Sequence, residues 1–391
     1  MHRMAGHALG LRLFRRHGKD AGQETAMNAA TVHRVAMTAG AEWDDVRELF
    51  AACPDAFIQQ SPAWADIVAP LGPDDAFFLV ARIDGRPLAG LPLYCCDGVA
   101  GKVVTSVPQA GPLGGIFIHP DATPDERESL YAALCDAARA TATDLGAAIL
   151  NIITNPLDDD VHRYRRHLAP DFELENFTQT VEVADIVEDC ALTLSGPTAT
   201  RIRHGGRHGL TARRLAVDEF PRWYALHRRR HAELEAPPLP EALLGGLVRH
   251  LEPTGKAFVL GVENSDGALI ASGLYVLHQR VCDVFITAMD RSHARLHPNY
   301  LLTAEALLEC ARRGVKTFNW QSSAARGNGV YQFKAKWRAT ERPYWFLTKR
   351  LGPIAPFLAL GKEGLGQAYP WHYVLPFGLF DHPTQRLFRK P

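Results

Sequence analysis

Ala76-Phe-Phe-Leu-Val-Ala-Arg-Ile-Asp-Gly-Arg-Pro-Leu-Ala-Gly-Leu-Pro-Leu-Tyr94 reads as a strand, an Asp-Gly turn and a second strand. The pattern returns in Ala257-Phe-Val-Leu-Gly-Val-Glu-Asn-Ser-Asp-Gly-Ala-Leu-Ile-Ala-Ser-Gly-Leu-Tyr275, where a glycine again interrupts the second apolar run. After each hairpin comes the same series: a β-rich segment, a long amphipathic helix and a short apolar strand. The helices are expected over 125–143 and 299–313, and the strands over 147–153 and 316–320. One α/β unit therefore occurs twice, and the predicted fold class is mixed α/β, with mixed sheets flanked by helices.

Composition sets further bounds. A chain of 391 residues suits two domains, either of which can bury its own core. Lys+Arg and Asp+Glu are both 43, so no global basic excess points to nucleic acid and any polyanion contact must be local. The 7 cysteines lie mostly in apolar runs without a CxxC pair, as expected of reduced residues in a cytoplasmic protein. No run of roughly 18 apolar residues exists to span a membrane. The basic segment 9–16 is too short and too interrupted by Arg12 for a secretory signal. Residues 1–30 are expected to form a loose N-terminal arm, with Met27 as an alternative start.

Chemistry concentrates in Phe318-Asn-Trp-Gln-Ser-Ser-Ala-Ala-Arg-Gly-Asn-Gly-Val-Tyr-Gln-Phe-Lys-Ala-Lys-Trp337. A strand-like run enters a flexible loop and leaves through Tyr331-x-Phe333-Lys334-x-x-Trp337, an arrangement suited to holding one cation at a strand end. When an amine attacks an ester or thioester, negative charge gathers on the carbonyl oxygen, and a fixed ammonium in a partly dry cleft stabilises that charge. Lys334 is the candidate cation. The plainer alternative is a solvated strand lysine between the core aromatics Phe333 and Trp337.

This stretch resembles the C-terminal signature of the Fem-type aminoacyltransferases and their acyltransferase relatives in the GNAT superfamily. In those families a Phe-Lys pair follows a Gly-containing loop and the lysine faces the attacked carbonyl. There are departures: Asn319-Trp320-Gln321 stands where relatives often have Asp-Phe-Gly, Arg338 stands where Gly is common, and the long coiled-coil arm of some relatives is missing. The resemblance runs from about residue 40 to 350 and implies tandem duplicated GNAT-like domains. The first would span 31–188 and the second, carrying the active site, 189–350. A Pro- and aromatic-rich tail, 351–391, would pack over the second domain or a neighbouring subunit, with shallow membrane contact as the lesser alternative.

Between the copies lies a dense basic series with only Asp218 and Glu219 against it locally. Thr200-Arg-Ile-Arg-His-Gly-Gly-Arg-His-Gly-Leu210 and His227-Arg-Arg-Arg-His-Ala-Glu-Leu-Glu-Ala-Pro-Pro238 are similar to basic helices of the relatives. Arg201, Arg203, Arg229 and Arg230 are candidates to clamp phosphates of a nucleotide-linked acceptor or of a tRNA acceptor end. The alternative is a solvated helix face. His204 with His208, and His227 with His231, have i,i+4 spacing but lack the Glu of a zinc helix, so no metal is expected. Trp320, Tyr331 and Phe333 read either as cleft lining or as core. Asp283 interrupts the apolar run 280–286. It is either a strand-edge residue or a tuned carboxylate that accepts the amine's proton. Ser322 and Ser323 are expected to shape the loop, since no nucleophile elbow surrounds them.

For the donor, GNAT acetyltransferases cradle the acyl-CoA pyrophosphate in backbone amides of a Gly-containing loop that opens a helix. The corresponding segment 291–301 has no glycine and carries Pro298, and the glycines of 110–115 follow a strand in the wrong context. This weakens acyl-CoA and favours aminoacyl-tRNA as co-substrate, with no other cofactor. The expected function is amide formation by transfer of an aminoacyl or acyl group to an amine of a cell-envelope precursor, polysaccharide or small metabolite. One alternative is acyl-CoA-dependent N-acetylation of an amino sugar. Another is a non-catalytic binding protein on the same scaffold, for which Gln321 and Arg338 are the supporting departures.

Overall fold

Asp84 and Gly85 have φ of 52° and 78°, so the first hairpin closes through two successive left-handed residues, the tight turn that matches the strands' twist. The structure is a computed structural model that describes residues 29–37, 40–108, 113–370 and 372–381. Most of the expected N-terminal arm, Met27, residues 110–112 and Trp371 lie outside the described residues.

The first half contains β1 (Thr31–Ala36), α1 (Ala41–Ala51), α2 (Pro62–Val68), the hairpin β2 (Asp75–Ile83) and β3 (Arg86–Gly98), and β4 (Gly101–Thr105). It continues with β5 (Phe117–Ile118), α3 (Pro124–Asp144), β6 (Ala147–Ile153), α4 (Val161–His167) and β7 (Phe172–Glu182). A small ribbon, β8 (Val187–Glu188) and β9 (Ala191–Leu192), leads to the second half: α5 (Gly196–Arg207), β10 (Thr211–Arg214), α6 (Phe220–Glu233) and α7 (Glu241–Leu251). Then come β11 (Ala257–Glu263), β12 (Leu269–His278), β13 (Val281–Met289), α8 (Pro298–Arg312), β14 (Thr317–Ser322), α9 (Gly329–Ala335) and β15 (Thr340–Arg350). The tail holds α10 (Ala355–Ala368) and α11 (Gly378–Asp381).

One sheet of 13 strands runs through both halves in the order β1-β2-β3-β4-β6-β15-β7-β14-β13-β12-β11-β10, with β5 beside β3. The halves exchange their last strands: β15 inserts between β6 and β7, and β7 lies beside β14. Each half has one parallel pair. β4 and β6 end their register at Thr105 opposite Asn151, and β13 and β14 at Asp283 opposite Asn319, so the same polar step closes both.

Packing follows the alternation of side chains along each strand. On the outer face, α3 buries Leu130 and Leu134 against the first half and α8 buries Leu302 and Leu307 against the second. Helix α3 starts where the sequence dictates, with Thr123 and Glu126 exchanging side-chain and backbone hydrogen bonds ahead of Pro124. On the inner face, α1 and α2 meet α6 and α7 in one shared core that includes Trp43, Trp64, Trp223 and Leu243. The tail does not cover the second half as expected. It packs on β3, β4 and β6 of the first, because Gly98 leaves room for the Tyr369 ring and Gly101 offers its carbonyl to the Tyr369 hydroxyl at 2.6 Å.

Candidate active site

Beyond the Asp283–Asn319 step β13 and β14 part company, and polar side chains gather in the opening. Asp283 is fully buried in a central strand, so it is not an edge residue. Its carboxylate accepts from Asn319 Nδ2 at 2.6 Å, from Gln59 Nε2 at 2.6 Å and from the Gln321 amide. Burial pushes the Asp283 carboxyl up to about 6, opposed by these three amides and the nearby Lys334 charge. Asn319 is held in turn by Thr178, whose hydroxyl donates to its Oδ1.

The register of β14 against β7 slips between Asn319 and Ser322, and at this bulge Gln321 takes the left-handed conformation, φ 62°. The main-chain oxygens of Gln321 and Ser322 there accept from Lys334 Nζ at 2.8 and 2.9 Å. Lys334 itself is on α9 and buried, so the plainer alternative of a solvated strand lysine does not hold. Asn328 caps that helix by accepting from the Tyr331 amide at 2.7 Å, which ends the loop and turns Lys334 back to the strand end. Only 4 % of the residue is exposed. Burial pulls its ammonium down to about 8, and the Asp283 charge works against that fall. Two of the three N–H groups are committed to carbonyls, and no partner is found for the third among the described residues.

The first half supplies several parts that the sequence did not reveal. Gln59, in the short 3-10 turn between α1 and α2, reaches Asp283 across 224 positions. On β7, Gln179 accepts from Ser323 Oγ and donates to the Tyr331 carbonyl, which ties α9 to the sheet. From the second half, Tyr344 of β15 shares a hydrogen bond with Ser322 Oγ. The signal for Gln59 was the polar pair Gln59-Gln60 set in an apolar run just ahead of a Ser-Pro helix start.

Other candidates are placed elsewhere. Trp320 and Phe333 stand in the aromatic layer with Tyr300 and Trp337 beneath α8, on the face of β14 opposite Asn319. Tyr331 donates to Glu341 Oε1 at 2.7 Å at the loop's outer side. The arginine series is less free than its neighbourhood in sequence implied. Arg213 and Arg222 pair with Glu219 and Glu263, Arg214 with Glu252, and Arg230 with Glu233. Arg203 donates to Thr200 Oγ1. Arg201 lies 5.3 Å from the centre of the Tyr300 ring. Arg229 is exposed and adds to the Ser292 hydroxyl and His293 in holding the Asp290 carboxyl below its usual value. These two arginines therefore flank the β13–α8 connection, while Lys334 and Asp283 lie at the β14 end.

That connection is folded on itself. The Ser292 amide donates to Asp290 Oδ1, those of His293 and His297 to Asp290 and Ala294 carbonyls, and that of Tyr300 to the His297 carbonyl. Of the first-half glycines, Gly114 and Gly115 are packed against Val107 and the Tyr164 hydroxyl, leaving no room for a Cβ. Among the described residues no cluster of three or more His, Cys, Asp or Glu is able to hold a metal. His227 instead accepts from the Leu239 amide. No helix among these residues is long and apolar enough to cross a membrane. Cys190 alone of the seven cysteines is exposed.

Comparison with known proteins agrees with this geometry. Residues 198–335 match the model of the acetyltransferase (GNAT) domain. FemX superposes with a TM-score of 0.63 at 11 % identity, covering 81 % of this chain and 97 % of FemX. A tandem GNAT protein from the clavulanic acid biosynthesis pathway gives 0.52 at 15 %, covering 82 % of this chain and 99 % of that one. The C-terminal domain of a putative lysylphosphatidylglycerol synthetase from Agrobacterium fabrum gives 0.52 at 13 %, covering 85 % and 100 %. No curated protein sequence matches. Residues 198–335 thus match a GNAT-type acetyltransferase domain, and the two halves together have a tandem GNAT fold like that of FemX.

Proposed function

We propose that the protein forms an amide by transferring an aminoacyl group from aminoacyl-tRNA to an amine, in the cytoplasm. The observation that carries this reading is Lys334: a dry ammonium, two of its N–H groups fixed on strand-end carbonyls and one N–H left over. A carbonyl oxygen within reach of that N–H gains a stronger hydrogen bond as it becomes an oxyanion, so the transition state is stabilised more than the ester. Asp283 supplies a counter-charge that keeps the lysine protonated near neutrality. Its carboxylate is already engaged by three amides, which suits an electrostatic role, and the amine's proton then leaves through solvent or the substrate itself.

The donor assignment is supported by the β13–α8 connection, where the amides of Ser292, His293, His297 and Tyr300 are spent internally in the segment that would cradle a CoA pyrophosphate, and by the resemblance to Fem-type aminoacyltransferases. In this reading Arg201 and Arg229, beside the β13–α8 connection, meet phosphates of the tRNA end. The acceptor class is an amine on a cell-envelope precursor, polysaccharide or small metabolite, and the lysylphosphatidylglycerol synthetase neighbour is consistent with aminoacyl transfer. The second reading, acetyl-CoA-dependent N-acetylation of an amino sugar, is favoured by the acetyltransferase description of the matching domain. Ribonuclease treatment decides between them. Transfer from a charged-tRNA pool to glycinamide or glucosamine should cease after treatment, whereas transfer from acetyl-CoA that survives it would establish the second reading.

A further inference from the structure

Gln59 is fully buried, belongs to the first half, and its side chain makes its one hydrogen bond among the described residues to a carboxylate of the second. We propose that Gln59 is the positioning residue through which the first half fixes Lys334, by clamping Asp283 and, through it, the strained Gln321 whose carbonyl holds the ammonium. This rests on the role given to Lys334 above and adds the reason a second GNAT unit is needed for it.

The contacts form a continuous series. Gln59 Nε2 and the Gln321 amide both donate to Asp283 Oδ2, so the two glutamines share one oxygen. Gln321 is left-handed, φ 62°, a conformation that is strained for a residue with a side chain. Its side-chain bond to Asp283 is what offsets that strain and keeps the backbone turned so that its oxygen meets Lys334 at 2.8 Å. Gln59 is itself rigid. The turn 58–60 is closed by Gln60, whose Oε1 accepts from the Phe57 amide and whose Nε2 donates to the Gly115 carbonyl, and Ser61 caps α2 immediately after. A rigid donor on one half thus sets the carboxylate position on the other.

A purely structural glutamine would satisfy both ends of its amide. Gln59 does not: its Oε1 is buried without a partner among the described residues, so the side chain is held for what its Nε2 does. The titratable groups facing Asp283 are Lys334, Tyr344 and Cys282, and burial keeps the last two neutral. The clamp therefore acts on one carboxylate and one ammonium.

The test uses the full-length protein with Gln59→Met, which keeps the volume and removes the donor, and Gln59→Glu, which donates to Asp283 only when protonated. In Gln59→Met, kcat should fall about tenfold or more while KM for the donor stays within about twofold, the signature of an effect confined to the transition state. The acidic limb of the pH–rate profile should rise by about one pH unit, because a hydrogen bond to the ionised form is lost. Gln59→Glu should recover part of the rate at low pH and lose it as the introduced carboxyl ionises. A third readout needs no substrate: an NMR titration with 13C-labelled lysine, the Lys334 signal being identified by its loss in Lys334→Met. Its midpoint should move down from the wild-type position in Gln59→Met, because the carboxylate and the Gln321 carbonyl that sustain the ammonium are no longer held in place. An unmoved midpoint and an unmoved acidic limb in a folded Gln59→Met protein overturn the proposal even if the wild type transfers aminoacyl groups. A moved midpoint in a protein that transfers nothing leaves the clamp standing and removes the enzymatic reading instead.

Discussion

The main-chain oxygen of Gln321 accepts from Lys334 Nζ at 2.8 Å while the side chain of the same residue donates to Asp283. One residue in a left-handed conformation thereby sets both the place of the cation and its counter-charge. Relatives often have glycine at this position, where φ is positive without strain. Gln321→Gly should leave stability within about 1 kcal/mol of wild type, since relief of strain offsets the lost hydrogen bond. The freed bulge should nonetheless lower kcat about tenfold, the loss expected when a catalytic group is misplaced by a fraction of an ångström. Denaturant titration and steady-state kinetics on the one variant measure both.

The pH profile has a definite sign. Below about 6 the Asp283 carboxylate takes up a proton, and the amides of Gln59, Asn319 and Gln321 lose the acceptor that fixes the cradle of Lys334. Above about 8 Lys334 itself loses its proton. With an acceptor that stays neutral through the range, such as semicarbazide, kcat/KM should rise through about 6, level off, and fall through about 8. A lysine working as a general base would give the opposite alkaline limb, a rate that climbs as the ammonium is removed.

Arg229 and Arg230 are neighbours with different fates: Arg229 is exposed, and Arg230 is paired with Glu233 at 2.8 Å. If the arginine near Asp290 meets a tRNA phosphate, Arg229→Ala should raise KM for aminoacyl-tRNA several-fold and lower the slope of log KM against log salt by about one, with kcat unchanged. Arg230→Ala should do much less, because its loss first disrupts an ion pair at the surface. Salt-dependent kinetics of the two single variants provide the comparison.

Much of this architecture was legible because its signals are local and repeated. Helices α3 and α8 begin within one residue of their expected starts, since Pro124 and Pro298 both occupy the first helical turn. The Asp84-Gly85 turn and the apolar runs around it settle the first hairpin in the same way. The site was legible only in part. Lys334 could be singled out by type and spacing, but α9 has 7 residues, too few for a helical period to show. Its cap, Asn328, lay inside a loop where Asn and Gly are ordinary. Gln59 meets Asp283 only through tertiary packing, and no pattern along the chain joins them. The arginine series looked unopposed because Glu252 and Glu263 approach from β11 and its preceding turn. At Arg338 the resemblance to relatives with glycine was informative about the backbone: φ is 60°, and the side chain makes use of that turn by donating to the Asp185 carbonyl at 2.8 Å.

The central claim is that the Lys334 ammonium stabilises the charge formed on the attacked carbonyl oxygen. The direct measurement is the single-turnover rate of aminoacyl transfer by Lys334→Met, with saturating aminoacyl-tRNA and a fixed acceptor amine, beside the dissociation constant of the donor. The account predicts a rate about 10²–10³ lower with donor affinity nearly unchanged, the loss of one oxyanion donor. A variant that is folded, binds donor and transfers at the wild-type rate would contradict it.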